Sequence, residues 1–104
     1  MDPEILVKRA QLGDKEVFVE LIKSLESSLY KVSKAILLSD SECLDAVQET
    51  ILIAYKNIQQ VREPKYFKTW ITRILINECN KLRKTQTKIV MMDRYLELKG
   101  TIVG

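Results

Sequence analysis

Apolar residues recur along most of this chain at steps of three and four, the spacing of an amphipathic α-helix. The clearest run comprises Phe18, Leu21, Ile22, Leu25, Leu29, Val32 and Ile36. No segment of useful length alternates apolar and polar residues as a half-buried strand does. The pattern therefore predicts an all-α fold, a compact bundle of four to five helices.

The first two helices are delimited by capping residues. Asp2 followed by Pro3 is typical of a helix start, and Gly13 ends that helix. Asp14 then caps a second helix. We expect a bend in the second helix near Ser24–Ser28, because serine hydroxyls compete for backbone hydrogen bonds.

Two further helices follow. Ser39 and Glu42 have the spacing of a capping box, which begins a third helix that runs to about Ile58. Pro64 interrupts the pattern, because a proline pushes the preceding residue out of helical geometry. A fourth helix is predicted from about Lys65 to Lys84.

The remainder of the chain carries a weaker pattern. We expect residues 1–88 to form one helical domain and residues 89–104 to be a C-terminal tail or the start of an interdomain linker. The stretch Met91–Leu98 is compatible with a short separate helix.

Composition excludes most enzyme classes. The chain has no histidine and only two cysteines, Cys43 and Cys79, far apart in sequence. Nearly every zinc pattern, and the histidine-activated serine or cysteine nucleophiles, are therefore missing. No apolar stretch approaches the roughly 18 residues of a spanning helix. We expect a cytoplasmic binding protein without cofactor or metal, and not an enzyme.

The third predicted helix has two unlike faces. Its predicted core stripe comprises Leu44, Val47, Ile51, Ala54, Tyr55 and Ile58. Its outward face comprises Asp45, Gln48, Glu49, Leu52, Ile53 and Lys56. Aliphatic residues beside carboxylates on a solvated face favour docking of a protein partner. The alternative is that another part of the chain, such as the tail, covers Leu52 and Ile53.

The fourth predicted helix has a basic outward face. Its core stripe is predicted to be Phe67, Ile71, Ile74, Leu75 and Leu82. The outward residues, with those flanking them and the preceding loop, are Arg62, Lys65, Tyr66, Lys68, Thr69, Trp70, Arg73, Ile76, Asn77, Asn80, Arg83 and Lys84. Cations suit phosphates, amides suit base edges, and a flat ring suits an unstacked base. The alternative is an ordinary solvated helix back with Trp70 in the core.

Four segments resemble one known family in order and spacing. They are Leu6–Asp14 followed by Phe18, Asp45–Tyr55, Phe67–Asn77 and Leu82–Lys84. Together they resemble region 2 of bacterial RNA polymerase sigma factors, with the nearest likeness to the extracytoplasmic-function (ECF) group. The resemblance covers about residues 4–88.

The resemblance implies a function for each outward face. The Asp45–Lys56 face matches the surface that docks on the clamp helices of the polymerase β′ subunit. The helix from Lys65 to Lys84 matches the one that opens the minus-ten promoter element and holds its non-template strand, with Arg73, Asn77 and Asn80 at DNA-contacting positions. The loop Gln59–Tyr66 resembles the segment that captures a flipped base.

The resemblance also implies partners and an expected length. Family members commonly bind an inhibitory anti-sigma factor, and full-length members carry a second domain that reads the minus-thirty-five element. No room for that domain follows residue 88, so an isolated region 2 is expected. The rival hypothesis is a helical interaction module, a regulator or decoy, with no role in DNA binding.

Overall fold

The computed structural model describes the backbone of residues 2–103 and the side chains of residues 2–85 and 91–97. In chain order the helices are α1 (Pro3–Gln11), α2 (Lys15–Ile36), α3 (Asp40–Asn57) and α4 (Phe67–Val103). Two short 3₁₀ helices, Ile58–Gln60 and Pro64–Tyr66, lie between α3 and α4. Residues 2–103 contain no strand, which confirms the all-α prediction.

The turn between α1 and α2 follows from three residues. Gly13 takes a φ of 100°, a region that glycine enters without steric cost. Its amide donates to the Ala10 carbonyl at 3.0 Å, and the Asp14 amide donates to the Arg9 carbonyl at 3.2 Å, so orphan carbonyls of α1 are satisfied. Asp14 then accepts the Val17 amide at 3.2 Å and caps α2.

The predicted bend in the second helix is wrong, because α2 is continuous across residues 24–28. The Ser24 hydroxyl donates to the Leu21 carbonyl at 2.6 Å and so bonds back into its own helix. Ser33 bonds similarly to the Tyr30 carbonyl at 2.7 Å. The hydroxyls are satisfied without breaking the ladder, while the apolar stripe of α2 keeps it on the core.

The buried stripe of α3 is centred differently from the prediction. Its buried residues are Cys43, Ala46, Val47, Thr50 and Ala54. Leu44 and Tyr55 were predicted in the core but are 51% and 43% exposed. Small residues face the core because they let the helices approach closely, and Thr50 is tolerated because its hydroxyl donates to the Ala46 carbonyl at 2.7 Å.

The last helix extends well beyond its predicted end at Lys84. No glycine or proline lies between residues 85 and 99, so nothing in the sequence stops the helix. The Thr85 hydroxyl bonds back to the Lys81 carbonyl at 3.0 Å, as a helical threonine does. The chain consequently reaches 65 Å along its longest axis. The division at residue 88 stays a prediction, and the side chains of residues 86–90 lie outside those described.

One apolar cluster joins all four α-helices. Phe67, Ile71, Leu75 and Cys79 supply the buried stripe of α4, with Ile74 and Leu82 partly buried against it. Both cysteines are fully buried and free, and burial with the nearby Cys43 raises the pKa of the Cys79 thiol. These thiols therefore behave as small core residues.

Candidate functional site

The outward side of α3 carries the residues predicted to face a protein partner, and we call this set the α3 surface. Asp45, Gln48, Glu49 and Lys56 are exposed. Leu52 is 55% exposed, so no described part of the chain covers it. The sequence left open whether Leu52 faces a partner or is covered by another part of the chain, and the structure supports an accessible Leu52.

Ile53 lies at the edge of the α3 surface and is half-buried. It lines a cleft of about 470 Å³ with Ile74, Asn77, Asn80, Lys84 and two charged neighbours. The cleft therefore joins the α3 surface to the predicted DNA-binding residues of α4. Pattern analysis missed this junction, because the sequence does not show which residues of separate helices meet.

The outward side of α4 carries most of the residues predicted to contact nucleic acid. We call this set, together with Arg62, Lys65 and Tyr66 of the preceding loop, the α4 surface. Its exposed members on the helix are Lys68, Thr69, Arg73, Ile76, Asn77, Asn80, Arg83 and Lys84. Because positions four and seven apart share one side of a helix, they form one continuous strip.

Trp70 combines both interpretations offered by the sequence. Its ring is half-buried and packs against Phe67, with the ring centroids 5.8 Å apart. It also belongs to the side chains packed on the core cluster. This packing fixes the ring in place, and the exposed part of the ring lies at the margin of the α4 surface.

Charge separates the two surfaces. Residues 62–85 contain seven Lys or Arg against two Glu, whereas residues 40–57 contain four Asp or Glu against one Lys. The mild overall charge of +3 is therefore the sum over segments of opposite sign, a basic segment at residues 62–85 and an acidic segment at residues 40–57. Clustered cations are the electrostatic pattern that a phosphate backbone requires.

A carboxylate and a lysine lie between the two surfaces. Lys81 forms an ion pair with the part-buried Glu78 at 2.8 Å. That pairing raises the pKa of Lys81, with a smaller contribution from Glu49 on the α3 surface. The ion pair gives Glu78 a partner of opposite charge although the carboxylate lies beside the apolar stripe of α4.

The loop between α3 and α4 is anchored at both ends and exposed between them. Val61 and Phe67 are buried, at 6% and 3% exposure. Arg62, Lys65 and Tyr66 are exposed, and the Lys65 ammonium lies 5.1 Å from the Tyr66 ring centroid. Glu63 is extended, as expected before Pro64. A basic and an aromatic group are therefore presented at one place.

The described residues contain no cluster of three or more side chains able to hold a metal ion. Among the same residues, no helix is both long and apolar enough to cross a membrane.

A family model described as "Sigma-70 region 2" matches residues 16–89 of the chain. The match includes α2, α3, the loop and the part of α4 that bears the α4 surface.

Two curated relatives illustrate the likeness. The ECF RNA polymerase sigma factor SigW of Bacillus subtilis is 29% identical over 98 residues, which cover 91% of this chain and 50% of the relative. The RNA polymerase sigma factor NccH of Alcaligenes xylosoxydans xylosoxydans is 28% identical over 81 residues, covering 78% of this chain and 44% of the relative. The chain thus spans about half the length of the curated relatives it matches.

A solved structure shares the architecture. It is an NMR structure of an engineered region 2 of sigmaE in complex with GTAAAA. The TM-score is 0.77 at 25% sequence identity, and the match covers 85% of this chain and 92% of that one. The bundle of this chain therefore has the region 2 arrangement of helices.

Proposed function

We propose that this chain, which belongs to the Sigma-70 region 2 family, docks on RNA polymerase core through the α3 surface. We propose further that it binds the melted minus-ten element through the α4 surface. Sigma factors are non-enzymatic transcription initiation factors, so the chain is not an enzyme. The observation that supports the proposal is the presence of two accessible surfaces of opposite charge on adjacent helices.

The α3 surface supports docking on a basic partner. Leu52 supplies an exposed aliphatic, with Asp45 and Glu49 exposed on the same outward side of the helix. Burying the aliphatic drives association, while the carboxylates steer and orient a partner of opposite charge. We propose the β′ clamp helices as that partner, and the same surface as the place where an anti-sigma factor competes. This function places the protein in the cytoplasm, with the polymerase.

The α4 surface supports binding of a single DNA strand. Arg73 is exposed and has no ion pair among the described residues, so its charge is available for phosphate. Asn77 and Asn80 add amide donors and acceptors within reach of the cleft. Unstacking a base costs a few kcal/mol, which stacking and hydrogen bonding to a captured base can offset. Strand opening on this surface is driven by binding free energy and requires no catalytic residue.

The DNA-binding proposal is tested with a single-stranded DNA hexamer of the sequence GTAAAA, the sequence found in complex with an engineered region 2 of sigmaE. We expect salt-dependent binding in fluorescence anisotropy. Arg73→Ala should weaken binding about three- to tenfold and reduce the slope of log K against log salt by about 0.7, one phosphate contact to a single strand.

The matched control is Lys31→Ala, which removes the same charge from an exposed position on α2. We expect Lys31→Ala to bind GTAAAA like the unaltered chain. Equal affinity and equal salt slope for all three proteins would count against DNA binding by the α4 surface.

The docking proposal is tested with Leu52→Gln and purified polymerase core. Leu52→Gln keeps the volume and the net charge but removes an aliphatic worth about 1.5–3 kcal/mol when buried. Because Leu52 is 55% exposed in the free chain, docking can bury only about half of the side chain, and we expect roughly four- to tenfold weaker capture of core polymerase. The control Leu38→Gln makes the same change at a 97%-exposed leucine and should leave capture unchanged.

The two assays together separate sigma activity from the rival interaction module. Polymerase capture with no binding of GTAAAA favours a decoy that retains only the α3 surface. Binding of GTAAAA without polymerase capture contradicts the docking half of the proposal.

A further inference from the structure

Helix α1 contacts the loop that bears Arg62, Lys65 and Tyr66, and its shortest hydrogen bonds to that loop come from the Gln11 side chain. The Gln11 amide nitrogen donates to the Ile58 carbonyl at 3.0 Å and to the Val61 carbonyl at 2.8 Å. A side-chain amide has two N–H donors, and both are used here on one loop. Because both acceptors are carbonyls, the nitrogen must be the atom that faces them.

Gln11 acts on the backbone immediately before the exposed part of the loop. The Ile58 carbonyl also accepts the Val61 amide at 3.2 Å, so the short turn and the Gln11 clamp share one acceptor. Gln11 is part-buried in this position, while the loop from Arg62 to Tyr66 has no helix or strand ladder at its start. A further hydrogen bond between the loop and α1, from the Gln59 side-chain nitrogen to the Gln11 backbone carbonyl, is longer at 3.5 Å.

The rest of α1 holds Gln11 in place. The Arg9 guanidinium forms an ion pair with Asp14 at 3.0 Å, and Val7 and Ala10 are buried in the core cluster. Helix α1 therefore acts as a fixed support from which one amide reaches across to the loop. The contacts span 47 and 50 residues of sequence, a tertiary connection that local pattern does not show.

We propose that Gln11 is a positioning residue that holds the loop Ile58–Tyr66 in the conformation that captures a base of the single strand. The inference rests on the proposed function, since it assigns to Gln11 a part in the same DNA site. If the clamp is lost, the competent conformation becomes a smaller fraction of the population, and apparent affinity falls by that fraction.

The test compares the full chain with Gln11→Met and Ser39→Ala. Methionine matches glutamine in length, charge and helix propensity but cannot donate to the two carbonyls. Ser39 caps α3 at the end remote from the loop, where its hydroxyl accepts the Glu42 amide at 3.2 Å. Ser39→Ala therefore also lowers stability by removing a side-chain hydrogen bond to the backbone, but at a place that does not contact the loop.

The first measurement uses GTAAAA and six versions of it, each with one abasic position. We expect the unaltered chain and Ser39→Ala to lose affinity at one preferred position. Gln11→Met should bind intact GTAAAA about tenfold more weakly, with the salt slope unchanged and the preference for that position reduced. An unchanged positional profile in Gln11→Met overturns the proposal.

The second measurement is amide hydrogen exchange without DNA. The amides of Val61 and Tyr66 are hydrogen-bonded within the loop, at 3.2 and 2.9 Å. They should exchange about tenfold faster in Gln11→Met than in Ser39→Ala. Equal exchange in the two variants overturns the positioning role. If the unaltered chain binds none of the oligonucleotides, the proposed function fails and base capture with it, while exchange still reports whether Gln11 fixes the loop.

Discussion

The rotational setting of α4 decides which residues face solvent, and it can be tested by one matched pair of substitutions. Ile71 is fully buried, whereas Ile76 on the same helix is 37% exposed. Ile71→Ala and Ile76→Ala delete the same atoms from the same kind of backbone. Any difference between the two variants therefore reports environment and not helix propensity.

The expected difference follows from burial. Truncating a fully buried isoleucine loses its transfer free energy and leaves a cavity, at a cost of about 4 kcal/mol. Ile76 already contacts water, and water can fill the space left when its side chain is truncated. We therefore expect Ile76→Ala to lower the free energy of unfolding by about 1 kcal/mol. A gap of about 3 kcal/mol corresponds to a melting-temperature difference of roughly 10–20 °C for a domain of this size.

Urea unfolding monitored by circular dichroism and by fluorescence of Trp70, the single tryptophan, measures both losses. The ring packs on Phe67, so its emission reports the α4 core contact. Equal losses in the two variants would refute the assigned rotation. The strip that contains Arg73 and Asn80 would then have to be reassigned to another side of the helix.

Two further predictions concern stability. The Lys34 ammonium lies 3.1 Å from the Asp40 carboxylate and, with Tyr30, lowers the pKa of Asp40. The stabilisation of the fold by ionised Asp40 is therefore present above about pH 4 and is lost as the pH falls through the lowered pKa. Urea titrations from pH 6 to pH 2 should show a weaker acid dependence for Asp40→Asn, and an unchanged dependence would contradict the pairing. Gly13→Ala should destabilise the chain by about 1–2 kcal/mol through the φ of 100° alone, because a Cβ there meets no atom within 4 Å. Unaltered stability of Gly13→Ala would contradict that backbone conformation.

The sequence by itself determined the elements whose signals are local. Asp2, Asp14 and Ser39 begin helices because their side chains accept nearby amides, at distances along the chain that never exceed three residues. The 3.6-residue period of α2 and α4 likewise follows from neighbours on one helix. The ordered segments of the family resemblance are local signals too, and they were sufficient to identify region 2.

Tertiary structure decided what depends on residues distant in sequence. The core side of α3 is set by how closely Cys43, Ala46 and Thr50 let their neighbours approach, and counting large aliphatics placed Leu44 there wrongly. The clamp from Gln11 to the loop spans about fifty residues, so no periodicity or motif contains it. Local propensity sets the helices, whereas the packing of one helix on another sets which side of each is free to bind.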